Sequence, residues 1–220
     1  MNLALFDLDH TLLTGDSDVL WCDFLMNEGV LDRDSFAMRN AQMEADYKVG
    51  SVDAQAFASF YVSTLAGRSP AQWQPLRERF LHEVIAPRIP ADAHALVRSH
   101  QAAGDTVVMT TATNRFITEL TAQHLHIVHL IATECELREG VFSGRTEGVL
   151  NMREGKVHRL HAWLAARGQQ LDAFDSTAYS DSINDLPLLS AVQRAVAVDP
   201  DARLEAEALA RDWNIIRLIR

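Results

Sequence analysis

The chain has 220 residues, enough to bury a sizeable apolar interior in one large domain or in a core carrying a smaller one. Its residues are 48% hydrophobic and 23% charged, which excludes a disordered chain, and no apolar run approaches the roughly 20 residues of a membrane-spanning helix. A formal net charge of −10 argues against nucleic acid as a partner, because that binding rests on clustered Lys and Arg displacing counterions from phosphates.

The opening MNLALFDLDHTLL has no basic leader and no small-residue cleavage site, which predicts a cytoplasmic protein without a secretory signal. Its run from Leu3 to Leu8 is apolar, short and ends in acids, as a buried first strand does. After Gly15 the period changes. Val19, Leu20, Phe24 and Leu25, and later Phe57, Phe60, Tyr61 and Leu65, recur at helical spacing, so residues 15–85 are predicted to form three or four short helices. Gly29 and Gly50-Ser51 mark breaks, and Ser69-Pro70 marks a helix start with proline in the first turn. Cys22, in this region, and Cys135 are the only cysteines and lie far apart, so both are expected reduced.

A helix after Pro90 is predicted to end near Ala103-Gly104, followed by a β-branched strand from Thr106 to Thr110 and a helix from about Asn114 to Gln123. Ile127 to Ala132 reads as the next strand, and the glycines of LREGVFSGRTEG suggest a hairpin or a loop. A helix over about 156–166, a strand-like Ala178-Tyr179-Ser180, a helix from Leu186 to Ala191, and the segments Ala195–Val198 and Asn214–Ile219 close the series. This alternation predicts an α/β fold with a parallel sheet and helices on both faces, the 15–85 block being inserted after the first strand. Ligands of such sheets sit beyond the carboxyl ends of the strands.

Asp7, Asp9 and Thr11 fall at such an end with spacing two, which places both carboxylates on one side if strand geometry continues. A divalent cation would relieve their repulsion and hold one acid ionised while the other carries a proton; a turn or a helix cap is the alternative. Asp181 and Asp185 follow a second strand-like segment, where they could bind a hard cation directly and through water, or cap the helix at Leu186. Thr110-Thr111 opens into a helix start at Ala112-Thr113-Asn114, at which hydroxyls and N–H groups could hold phosphate oxygens or simply form an ordinary N-cap. Lys156 follows Gly155 at another helix start, a poor place for a cation unless an anion is near.

In this order, FDLDHT with Asp7, Asp9 and Thr11, MTTATN with Thr111, EGK with Lys156, and SDSINDLPLL with Asp181, Asn184 and Asp185 resemble the haloacid dehalogenase superfamily of phosphotransferases. The helical block after the first motif looks like the small cap of the branch that contains phosphoserine phosphatases. The resemblance implies a Rossmann-like catalytic core over 1–14 and 86–220 and a helical cap over 15–85. It implies a Mg²⁺-dependent phosphatase in which Asp7 attacks phosphorus, Asp9 protonates the leaving alcohol and then activates water, and Thr111 and Lys156 hold the phosphoryl group. It further implies Mg²⁺ bound by Asp7, the backbone carbonyl of Asp9 and Asp181, with Asp185 ordering the metal's waters. Thr110 is the fallback for Thr111, and Thr11 and Asn184 are candidates to face the substrate, as are Thr113, Asn114 and Arg115 unless they only form the first turn of a helix.

Cap residues choose the leaving group in that branch. Here Asp16, Asp18 and Trp21 follow the nucleophile motif, and acids there favour an amine-bearing phosphate ester, unless they cap the helix instead. Phosphoserine phosphatases pair a cap arginine with the substrate carboxylate, whereas SVDAQAFASFYVSTL, the corresponding stretch, contains no basic residue, so histidinol phosphate or another carboxylate-free amine phosphate fits slightly better than phosphoserine. The alternatives are a phosphate-responsive signalling or binding protein and a phosphomutase. A receiver domain takes its nucleophile from a middle strand of the sequence, while here the motif lies on the first.

Overall fold

The computed structural model describes residues 1–48 and 53–218, so the predicted break at Gly50-Ser51 lies outside the described residues. The chain opens with β1 (Asn2–Phe6), then α1 (Ser17–Asn27), α2 (Arg33–Lys48), α3 (Ala54–Ser63), α4 (Pro70–Phe80) and α5 (Ala91–Ala102). Next come β2 (Thr106–Asn114), α6 (Arg115–His124), β3 (His129–Arg138), β4 (Val141–Glu147) and α7 (Glu154–Ala165). β5 (Asp175–Ser180), α8 (Leu186–Ala191), β6 (Arg194–Val198), α9 (Ala202–Ala210) and β7 (Asn214–Ile216) complete it. None of these helices is long and apolar enough to cross a membrane.

The strands form one sheet in the order β4-β3-β2-β1-β5-β6-β7, which puts β1 at its centre between β2 and β5. Every pairing is parallel except β3 with β4. The expected parallel sheet thus forms, and of the two readings of LREGVFSGRTEG the hairpin holds: it is a tight hairpin, which can only return antiparallel.

Side chains of β1 alternate with period two between two cores. Leu3 and Leu5 pack with Leu160, Leu164, Leu188 and Leu204 on one face. Ala4 and Phe6 face the other core, which also holds Trp21, Phe24, Trp73 and Phe80 from the helices between β1 and β2. Trp73 is thus a packing residue; its indole N–H donates to the Leu65 carbonyl at 2.9 Å. Ser69 caps α4 with a reciprocal bond to Gln72, so the Ser-Pro start is realised.

Two elements differ from expectation. β2 runs on to Asn114, four residues past its apolar run, because its polar end is held inside the site described next. α9 was not foreseen, since only Leu204 and Ala208 of its residues are buried and that stripe is too thin to register as a period.

Candidate active site

β1 ends at Phe6, and strand geometry does not continue through Asp9 as the spacing argument assumed. The chain coils into a tight turn in which the Leu8 carbonyl accepts from the N–H groups of Thr11, Leu12 and Leu13. His10 takes a positive φ of 57° within it. Asp7 and Asp9 consequently enter two adjoining but distinct polar clusters.

Asp7 is 5% exposed, and Lys156 Nζ from α7 donates to its Oδ1 at 2.7 Å and to Asp185 Oδ2 at 2.6 Å. Ser180 also donates to Asp185 Oδ2, at 2.8 Å. The Thr11 hydroxyl accepts from the Asp181 N–H at 3.0 Å and donates to Asp181 Oδ1 at 2.9 Å, with Asp7 Oδ2 3.5 Å away. Thr11, a candidate for substrate contact, is fully buried and instead pins Asp181 beside β1.

Burial pushes the Asp7 carboxyl up to about 7; Lys156 pulls it down, while Asp185 and Asp9 push it up again. Burial and then Asp7 raise Asp181 well above the ordinary range. Burial alone would lower the Lys156 ammonium, but Asp185 and Asp7 more than reverse this and keep it charged.

Asp9 faces β2 and the start of α1. It accepts from the Ser17 N–H at 2.7 Å, from Thr113 Oγ1 at 2.9 Å and from Thr111 Oγ1 at 3.2 Å. Thr110 is turned away: its hydroxyl accepts from Asn151 Nδ2, which also reaches the carbonyls of Thr111 and Ile131. Of the two adjacent threonines, Thr111 is therefore the one at the acids.

Asp16 caps α1, accepting from the Asp18 and Val19 N–H groups, so the capping alternative holds for this residue. Asp18 is 2% exposed and accepts from Thr113 Oγ1 at 3.1 Å and from Asn114 Nδ2 at 3.4 Å. Burial and the neighbouring Asp9 push Asp16 up to about 8, and burial with Asp16 and Asp9 raises Asp18 well above the ordinary range. Three acids thus converge on the start of α1, and no basic side chain is bonded to them among the described contacts.

Asn114 caps α6 through the Ile117 N–H. Arg115 is engaged elsewhere, in a fork on Glu134 that Arg159 shares, so it is not brought to the acids. Asn184 accepts from Arg153 Nε at 3.3 Å. An open groove of about 740 Å³ lies between α6, β3 and α7 and contains none of Asp7, Asp9, Lys156 or Asp181.

Sequence reasoning left out of the site Ser17 and Ser180, which bond to the acids, and Asn151, which holds Thr110. Polar residues this common carry no signal of their own; only the sheet's register gathers them.

The oxygen-only donors of Asp7 and Asp181, linked through one hydroxyl and short of positive charge, suit a hard divalent cation. Among the described residues no three His, Cys, Asp or Glu side chains form a ready cage, so such an ion would be completed by backbone oxygen and water.

Gly155 is where α7 approaches the preceding loop. A Cβ there would lie 2.0 Å from the Leu150 carbonyl oxygen, so any other residue displaces backbone. Gly155→Ala is expected to shift the start of α7, move Lys156, and lower the unfolding free energy by about 1–3 kcal/mol. Urea denaturation would read this, and an unchanged midpoint would show that the loop yields without cost.

An α/β sheet with acids, hydroxyls and one buried lysine at the carboxyl ends of its central strands defines a phosphotransfer class of site. The sequence pattern of haloacid dehalogenase-like hydrolases matches residues 4–190. The chain belongs to that family and is an enzyme of its phosphatase branch. It is 39% identical over 217 residues to a histidinol-phosphatase of Neisseria meningitidis, covering 98% of each chain. It is 34% identical to a phosphoserine phosphatase of Mycobacterium tuberculosis, with 96% of this chain and 69% of that one covered. Among solved structures, a Bordetella pertussis protein of unknown function superposes with a TM-score of 0.94 at 44% identity, covering 99% of both chains. A substrate-bound phosphoserine phosphatase superposes at 0.70 with 17% identity, covering 97% of this chain and 92% of that one, a likeness of fold.

Proposed function

We propose that this enzyme hydrolyses a small, amine-bearing phosphomonoester through an aspartyl-phosphate on Asp7, with Mg²⁺ as cofactor and histidinol phosphate as the favoured substrate. The observation that carries this reading is the separation of the two acids: Asp7 on Lys156 at 2.7 Å, Asp9 on the Thr111 and Thr113 hydroxyls.

In the first step an Asp7 carboxylate oxygen forms a bond to phosphorus as the ester P–O bond breaks, and Asp9 gives its proton to the leaving oxygen. In the second, Asp9 takes a proton from water as the water oxygen attacks phosphorus, and the P–O bond to Asp7 breaks to restore the carboxylate. Lys156 and the Thr111 hydroxyl hold the phosphoryl oxygens, supplying the positioning and charge neutralisation on which phosphoryl transfer rests. Bound Mg²⁺ would neutralise phosphoryl charge; Asp7, the Asp9 carbonyl and Asp181 would hold it, with Asp185 ordering its waters. Residues 1–14 and 86–220 form the catalytic core in this reading, and 15–85 the cap.

Asp9, Asp16 and Asp18 gather at the start of α1, where burial and mutual repulsion raise Asp16 and Asp18; a cationic amine on the leaving group would let these carboxyls ionise, which favours such a substrate. The absence of a basic residue from 51–65 disfavours a carboxylate. The relative named for histidinol phosphate agrees with both.

The test is inorganic phosphate release from histidinol phosphate, phosphoserine and p-nitrophenyl phosphate, with Mg²⁺ and with EDTA. Release that needs Mg²⁺, with histidinol phosphate at least ~10-fold ahead of phosphoserine in kcat/KM, is expected. Phosphoserine ahead would overturn the substrate, and no release from folded, metal-loaded protein would overturn the reaction.

A further inference from the structure

Arg153 is the residue before α7, three positions ahead of Lys156, and three observations set it apart from an ordinary helix start. Its backbone stands at φ 52° and ψ −124°, a region that side-chain-bearing residues avoid and that differs from the left-handed helical well. It occupies the N-cap of α7 without making a side-chain cap bond, where Ser, Thr, Asp or Asn is favoured. It is also a cation at a helix start, where the dipole prefers an anion.

A fourth observation points to a ligand. Asn184 is 7% exposed, and its Oδ1 accepts from Arg153 Nε at 3.3 Å, while its Nδ2 is buried with no hydrogen-bond partner among the described residues. A buried amide donor without an acceptor is costly and calls for one. Beside Asn184 in sequence, Asp185 takes the Lys156 ammonium, so the Arg153–Asn184 pair adjoins the Lys156 cluster. The preceding residue, Met152, packs against Phe57, Phe60 and Tyr61, which sets this loop between the sheet and α3.

We propose that Arg153 and the Asn184 amide hold non-bridging oxygens of the phosphoryl group beside Lys156, and that the strained backbone of Arg153 is retained for that contact. This rests on the phosphatase reading and adds a second cationic group to the phosphoryl site. A group that binds the phosphoryl oxygens acts alike on every substrate, whatever its leaving group. A group that recognises the alcohol does not.

The experiment compares the parent with Arg153→Gly and Arg153→Lys. Glycine suits the backbone conformation, so Arg153→Gly should melt at or above the parent temperature. Its kcat/KM should nevertheless fall by about 10²-fold, as when one transition-state donor is removed, and equally for histidinol phosphate and p-nitrophenyl phosphate. Inhibition by orthovanadate should weaken alongside, and Arg153→Lys should recover part of the loss. A folded Arg153→Gly with kcat/KM within threefold of the parent overturns the assignment, and so does a loss confined to one leaving group. If the parent itself releases no phosphate, it is the phosphatase reading that fails; orthovanadate protection against heating, lost in Arg153→Gly, then still decides the assignment.

Discussion

Lys156→Met is expected to lower the unfolding free energy by about 3–5 kcal/mol and to abolish phosphate release. The ammonium is 2% exposed and lies between Asp7 and Asp185 at 2.7 and 2.6 Å, so its removal leaves two carboxylates buried with their shared counter-charge gone. Methionine keeps most of the apolar stem, so the loss reports charge rather than a cavity. The same variant should recover stability on acidification, because protonation removes the uncompensated charges. Urea unfolding at pH 5 and pH 8 reads both effects. A parent-like midpoint at pH 8 would mean that Asp7 and Asp185 do not depend on Lys156, and its role in the site would have to be withdrawn.

How much of this was legible in the sequence varied with the kind of signal. β1 was readable because a fully buried central strand is an unbroken apolar run, and α8 because Asp185-Leu186-Pro187 marks a helix start plainly. The hairpin β3–β4 showed its glycines, but glycines serve a hairpin and a loop alike, and only the pairing of the flanking strands decides between them. At the site, acids at strand ends were visible, whereas the choice between Thr110 and Thr111 was not. Adjacent residues of one type differ only in which way the strand turns them, and here Asn151, 41 residues on, takes Thr110. Asp16 and Arg115 show the converse limit. Each stands at a helix start near the motifs, yet one is occupied by its own helix and the other by Glu134. Arg153 left no trace, because a positive φ is signalled in sequence only where glycine or asparagine occupies it.

Asp7→Asn should reduce phosphate release by on the order of 10⁴-fold or more while leaving the fold intact, since an amide matches the carboxylate in shape but cannot attack phosphorus. Its effect on stability has a definite sign with pH. In the cation-free protein burial raises Asp7 from 3.8 to about 7, with Asp185 and Asp9 adding to the rise. Between those values the unfolded chain has lost a proton that the folded one keeps. The contribution is fully present below 3.8 and is lost as pH rises towards about 7. Asp16, raised to about 8, slopes the same way, so the parent without metal should lose stability from pH 4 to pH 8. Asp7→Asn removes one share of that slope and should equal or exceed the parent in stability at pH 8. Added Mg²⁺ should then separate the two proteins: an ion that binds only the folded state raises the parent's midpoint, and the variant, lacking one carboxylate of the proposed site, should gain less. An equal Mg²⁺ shift in both would remove Asp7 from the proposed ligand set even if activity were lost. An undiminished pH slope in Asp7→Asn would show that the buried Asp7 keeps its negative charge through Lys156, and that the cation is not what allows it to ionise.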